Sequence, residues 1–337
     1  MTTSSDNSLS QSPIFIVGFP RSGTTLLQSI LATQQGVYSF QETHFFTDTL
    51  SLIRINQEGY VDPDCLNSVF KNIYTHTECE FSKNTRNEII EVANKGTLSS
   101  KMMFEYLVIE LLAKQVDEHK LSSIRWIEKT PGHIKHIKAI HDMFPDAKFI
   151  EIVRNPLNAI YSYKEKLPDG DRHTIEALAN QWKRSRQLFQ EFSDQHPHAT
   201  HSVKMENIIN NPEGGLVELA DFLGFQVDLG KIKNTQSVAN ELVLGSETWK
   251  RMNTGVGITV IDPGYHWEYK DKLKIKYLLR TDLYETGYKQ PIDPFQLVYS
   301  ISMISLSHLS RIPIPSQVKG SMKKLLTKLG LWPYLDK

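Results

Sequence analysis

The sequence predicts an α/β protein built on a doubly wound, mainly parallel sheet with helical insertions. Three observations carry that expectation. The segment "PIFIVGF" (13–19) is a continuous apolar run rich in branched residues, as a strand buried on both faces requires. It is followed at once by "TTLLQSILATQ" at helical period and then by a second short apolar run, "VYSF", which makes a βαβ unit. The alternation then recurs along the chain, and strands alternating with helices are the signature of a parallel sheet covered on both sides.

Taken in order, "SIRWIEK" reads as the third strand and leads into the helical "HIKHIKAIHDMF". "AKFIEIVR" reads as the fourth and leads into "PLNAIYSYKEK"; "THSVKME" reads as the fifth and leads into "NPEGGLVELADFLGF". Between the second and third strands, residues 45–120 read mostly as helices and form an insertion. No internal repeat or low-complexity block interrupts the pattern. Residues 1–12 are polar, without a basic region or an apolar stretch, and are expected to be a disordered lead with neither signal peptide nor membrane span. Residues 13–290 are expected to form the main domain. Residues 291–337 form a helical extension whose last part, "VKGSMKKLLTKLGLWPYL", is basic and amphipathic; it either packs on the domain or lies at a membrane surface.

Composition narrows the partners. Lys plus Arg (38) balance Asp plus Glu (38), so nothing global draws the chain to nucleic acid, and anion recognition must come from local placement. Two cysteines, Cys65 and Cys79, have neither metal-ligand spacing nor the density of a disulfide scaffold, which fits a reducing, cytoplasmic setting.

In doubly wound sheets the ligand site lies beyond the carboxyl ends of the strands. Those positions here hold Arg21 with Ser22, then Glu42, Lys129 and Arg154. The first of them belongs to "GFPRSGTTLL", a P-loop-like frame of two glycines with four residues between them. Gly18 and Gly23 let the backbone approach an anion, and Ser22, Thr24 and Thr25 add hydroxyls where a helix begins. The lysine that a nucleoside-triphosphate loop uses is replaced by Thr24, while Arg21 offers a bidentate phosphate contact. The pattern predicts one phosphate at this position rather than three.

"PRSGTTLL" after a buried strand resembles the 5′-phosphosulfate loop of sulfotransferases that use 3′-phosphoadenosine 5′-phosphosulfate (PAPS). "EIVRNPLNAIYSY" resembles the second half of that family's signature, in which a strand-end arginine and a serine eight positions later hold the 3′-phosphate; these are Arg154 and Ser162. The resemblance extends from residue 13 to 289 through "QETHFF", "WIEKTPGHI", "MENIINNPEGGLVELADFLGF" and "ETGY", and is nearest the branch with tyrosylprotein and bacterial sulfotransferases. It implies PAPS as sulfate donor, Glu42 as general base, and Lys129 on the bridging oxygen of the leaving phosphate, with Arg21 beside it. His44 and His133 are alternative bases, since histidine serves in the cytosolic branch. Lys250 and Arg251 in "WKRMNTGVG" stand nearest the late basic stretch of that branch, and the place of the tyrosine that contacts the nucleotide in the tyrosylprotein branch falls near Met205.

No metal is expected, because His133, His136 and His141 follow one helical stretch without suitable partners. The implied acceptor is a hydroxyl of a carbohydrate, a lipid-linked molecule or a small metabolite, with a protein tyrosine as the alternative. A non-catalytic nucleotide-binding scaffold or a kinase-like protein is the reading from another class; it needs neither Glu42 nor Lys129.

Overall fold

A computed structural model describes residue 9, residues 12–244, residue 247, residue 267 and residues 269–288 of the 337-residue chain. The chain divides into two compact units, Met1–Tyr265 and His266–Lys337. The first holds a five-stranded sheet of β1 (Ile14–Val17), β2 (Val37–Ser39), β3 (Arg125–Lys129), β4 (Lys148–Val153) and β5 (Thr200–Lys204) in the order β2-β3-β1-β4-β5, with every pairing parallel. β1 is central, and the chain leaves it toward β2 on one side and later returns to β4 on the other. That makes the carboxyl end of β1 the switch point where such sheets bind ligands.

Alternation along each strand decides which core it feeds. Ile14 and Ile16 join Ile127, Ile150, Ile152 and Val203 on one face, covered by α1 (Thr24–Ala32) and, after further helices, by the later Pro212–Leu223 helix. Phe15 and Val17 point to the other face, into a larger core. Phe15 stacks on Phe149 at 5.5 Å between ring centroids and meets Trp126 edge-on at 5.7 Å, so truncating it would remove the centre of an aromatic layer, at about 3–5 kcal/mol.

The insertion between β2 and β3 is helical as expected: a π-turn at Phe45–Thr49, then α2 (Leu66–Thr77), α3 (Lys83–Asn94) and α4 (Ser100–Leu112). Ser82 and Ser99 cap α3 and α4 by accepting from Thr85 N–H and Met102 N–H. After β3 the chain forms a 3₁₀ turn at Pro131–His136 and then α5 (Ile137–Met143). α6 (Pro156–Lys166) follows β4; Asn155 caps it and Pro156 occupies its first turn. α7 (Ile175–Ser193), α8 (Met205–Asn210), α9 (Pro212–Leu223) and α10 (Thr235–Glu241) complete the described part of this unit.

α7 is the longest helix among the described residues and was absent from the expected series. Its buried Ile175, Leu178, Ala179, Trp182, Ser185, Phe189 and Phe192 nevertheless follow helical spacing. Of the polar lead, Leu9 and Ser12 are described, and Leu9 is buried in the larger core. In the second unit the described residues form α11 (Tyr269–Leu278) and α12 (Arg280–Glu285). Residues 291–337, including the basic amphipathic segment, lie outside the described residues. No helix among the described residues is long and apolar enough to cross a membrane.

Candidate active site

The loop between β1 and α1 has a geometry that glycine makes possible at two points. Gly18 has φ 137°, and a Cβ there would come within 3.0 Å of the Ile152 carbonyl oxygen on the neighbouring strand. Gly23 has φ 99° and is the N-cap of α1; a Cβ there would run into the Met205 thioether, which covers the loop from the end of β5. Arg21 itself is left-handed at φ 67°, a strained state for a residue with a side chain. No side chain caps α1. Its first-turn N–H groups therefore remain available to an anion. Ser22 is fully buried in the same loop, and its hydroxyl has no hydrogen-bond partner among the described residues. A buried orphan hydroxyl beside an uncapped helix N-terminus is the donor set that a phosphate group would complete.

The other strand ends converge on this loop. Arg154, just beyond β4, donates through Nη1 to the Arg21 carbonyl at 3.0 Å, and Arg21 donates through Nε to Ser162 Oγ on α6 at 3.2 Å. Two motifs far apart in sequence thus form one cluster. Trp182 of α7 donates to the Arg154 carbonyl at 3.3 Å, and Glu206 of α8 accepts from Asn155 N–H at 2.9 Å, so both hold the β4–α6 turn. Lys129, at the end of β3, is 2% exposed; its ammonium donates to Thr25 Oγ1 at 3.2 Å and pairs directly with the Glu42 carboxylate. Glu42 follows β2, whose end is tied to α1: Gln28 donates to Ser39 Oγ at 2.8 Å and to the Phe40 carbonyl at 2.7 Å.

The model of the sulfotransferase family matches residues 13–228, well over half of the chain and all five strands. The chain belongs to the sulfotransferase family. Among curated relatives, protein-tyrosine sulfotransferase A of Caenorhabditis elegans is 22% identical over 237 residues, which are 69% of this chain and 55% of that protein. An uncharacterised protein of Aquifex aeolicus (strain VF5) is 25% identical over 219 residues, 63% of this chain and 25% of that one. The chain thus spans between a quarter and about half of the length of these relatives. Among solved structures, the sulfotransferase domain of the Synechococcus PCC 7002 olefin synthase superposes with a TM-score of 0.53 at 18% identity, covering 86% of this chain and 100% of that one. The sulfotransferase domain from the curacin biosynthetic pathway gives 0.50 at 18% identity, with 81% and 99% covered. These likenesses establish the fold.

In this chain Glu128 faces away from its neighbour Lys129, as strand alternation dictates, and is fully buried. Its carboxylate accepts from Thr130 Oγ1 at 2.6 Å, Thr43 Oγ1 at 2.9 Å and His133 Nδ1 at 2.8 Å. Burial pushes this carboxyl up, but His133 and the two threonine hydroxyls outweigh burial and hold it below the ordinary glutamate range. Each donor is itself an acceptor. Thr130 Oγ1 takes His44 N–H at 3.4 Å, Thr43 Oγ1 takes Phe45 N–H at 3.3 Å, and His133 Nε2 takes Phe46 N–H at 3.3 Å. One carboxylate therefore anchors three successive amides of the turn that follows Glu42. With both ring nitrogens engaged and no exposure, His133 is a structural member of this network, and neither nitrogen is left to take an acceptor proton.

His44, the other alternative base, lies at the site itself, its Nε2 3.3 Å from Glu42 Oε2. Thr24 is buried in the first turn of α1, and Thr25 reaches Lys129 as described. Lys250 and Arg251 lie outside the described residues. Among the described residues neither His136 nor His141 joins a ligand set, but the structure gathers His44, Asp48 and His76, whose donor atoms all lie within 4.8 Å of one another. Sequence spacing hid this group, because His76 comes from the far end of α2. A cavity of about 320 Å³ opens from the phosphate loop, lined by Gly18, Phe19 and Pro20 together with Gly132, Lys135 and Arg184. The last of these is on α7, so the unexpected helix forms one wall.

Proposed function

We propose that this chain transfers the sulfuryl group of PAPS to a hydroxyl of a small acceptor, with Glu42 as general base. The observation that carries the reading is the contact set of Lys129: one buried ammonium touches both Thr25 of the phosphate loop and Glu42. The cation for a leaving phosphate, the anion cradle and the carboxylate for the acceptor proton are thereby adjacent. The donor supplies an activated sulfuryl group on a phosphate that departs. The chain's residues do the rest. Ser22, the α1 amides and Arg21 would hold the 5′-phosphate, and Arg154 with Ser162 the 3′-phosphate. Lys129 offsets charge developing on the leaving oxygen, and Glu42 removes the acceptor proton.

Calorimetric titration with 3′-phosphoadenosine 5′-phosphate, against ATP with magnesium, tests the donor side. Preference for the bisphosphate supports the reading, and preference for ATP refutes it. Glu42→Gln tests the chemistry: nucleotide affinity should persist while turnover falls by about two to four orders of magnitude. Turnover near that of the wild type would move the base to His44, which its contact with Glu42 makes the second candidate. The likeness to protein-tyrosine sulfotransferase A makes a tyrosine peptide the first alternative acceptor to screen.

A further inference from the structure

We propose that His44, Asp48 and His76 form a binding site for a divalent transition-metal ion of the zinc type, coupled through His44 to Glu42. His44 Nδ1 and His76 Nε2 converge on the same carboxylate oxygen, Asp48 Oδ2, at 3.3 and 3.6 Å. A tetrahedral ion with bonds of about 2.0–2.1 Å to nitrogen and oxygen has ligand-to-ligand edges of about 3.3–3.4 Å. One edge of the required figure is thus already in place and the second is within a few tenths of an ångström, while the third must shorten from within 4.8 Å, between imidazole rings that stack with centroids 4.7 Å apart. Two imidazoles and one carboxylate are also the donor types that zinc takes, with a fourth position left for water.

The surroundings of His44 fit the same arrangement. Its ring meets a carboxylate at each nitrogen, Glu42 at Nε2 and Asp48 at Nδ1, both at 3.3 Å. An ion taken at Nδ1 would leave Nε2 to orient on Glu42. The resulting order, carboxylate to histidine to metal, is the arrangement that orients metal-bound histidines elsewhere. The backbone commits to it as well. His44 is held left-handed at φ 51°, immediately before the π-turn that carries Asp48, and both are conformations retained where a side chain must be aimed. Thr47 Oγ1 donates to Asp48 Oδ2 at 3.1 Å and steadies the carboxylate.

The metal site stands on its own geometry; its link to the reaction rests on the role proposed for Glu42. Both are tested by binding rather than by turnover. The full-length protein, stripped with chelator and exchanged into metal-free buffer, is titrated with Zn²⁺ by calorimetry, and with Co²⁺ by visible absorption. One equivalent of saturable Zn²⁺ and an intense tetrahedral Co²⁺ spectrum are expected, with affinity at least about tenfold weaker in both His76→Ala and Asp48→Asn. Asp48→Asn keeps the shape of the side chain, so it remains informative if His76→Ala folds poorly. No saturable binding, or binding in both variants equal to that of the wild type, overturns the site. Glu42→Ala should weaken Zn²⁺ by about tenfold through loss of the orienting contact, and unchanged affinity there overturns the coupling to Glu42.

Discussion

Replacing Glu128 by alanine should unfold this protein at markedly lower urea while removing nothing that touches a substrate. The side chain is fully buried and accepts from Thr43 Oγ1, Thr130 Oγ1 and His133 Nδ1. Losing it leaves these three side-chain donors, and the Thr43 and Thr130 N–H groups beside them, facing a void. A buried donor without a partner costs about 1–3 kcal/mol, and more when the acceptor it loses is charged. Because the donors share one acceptor, these figures overlap rather than add, and a loss of about 3–5 kcal/mol is expected. Glu128→Gln separates the causes. Its volume is unchanged, but its amide brings a donor to a site already surrounded by donors. His133 cannot simply switch tautomer in response, since Nε2 already accepts from Phe46 N–H. The glutamine variant should therefore lose about 1–3 kcal/mol, and its turnover should fall because the turn behind Glu42 is released. Urea denaturation near neutral pH, read by tryptophan fluorescence, gives both values. An alanine variant within about 1 kcal/mol of wild type would refute the view that this carboxylate organises the turn.

Three further outcomes follow from the geometry. Arg154→Ala should weaken 3′-phosphoadenosine 5′-phosphate by about 1.5–3 kcal/mol in calorimetry, and unchanged affinity would remove Arg154 from the 3′-phosphate site. Gly23→Ala should weaken nucleotide binding while the sheet persists by circular dichroism, because φ 99° strains any residue with a Cβ and the Met205 side chain covering the loop would have to move aside; unchanged binding would mean that the loop rearranges freely. Burial raises the Glu151 carboxyl to about 7 from 4.5, and its contacts with Arg186 and Ser202 pull it back only in part. The folded protein thus holds this proton more tightly than the unfolded chain. The stability it contributes is full below pH 4.5 and is lost as pH rises through 7, roughly 3 kcal/mol in total, so Glu151→Gln should flatten the fall in urea midpoint over that window. Parallel wild-type and variant curves would contradict this.

The parts legible in the sequence were those governed by local pattern. The unbroken apolar run at Ile14–Val17 identifies a central strand, because only two-sided burial tolerates it. Arg21, Glu42, Lys129 and Arg154 come together in the structure because the residues at and beyond strand ends in such sheets lie along one edge. Glu128 faces away from Lys129, as strand alternation alone requires. What could not be read depends on contacts between distant segments. Nothing local ties Met205 to Gly23, Trp182 to the Arg154 carbonyl, or His76 to Asp48. α7 is a different matter, since its apolar spacing was present in "IEALANQWKRSRQLFQEFS" and marks the helix that walls the cavity.

The pairing of Lys129 with Glu42 sets an order of events for the reaction proposed here. While Lys129 pairs with Glu42, an acceptor hydroxyl reaching the proposed site would meet a base already engaged. A phosphate entering the loop would compete for the same ammonium beside Thr25, and a turn of Lys129 toward it would release the carboxylate. The nucleotide would then act as the key as well as the donor. Acceptor that arrives first would wait in a dead end, and initial rates should show inhibition by excess acceptor that rising donor concentration relieves.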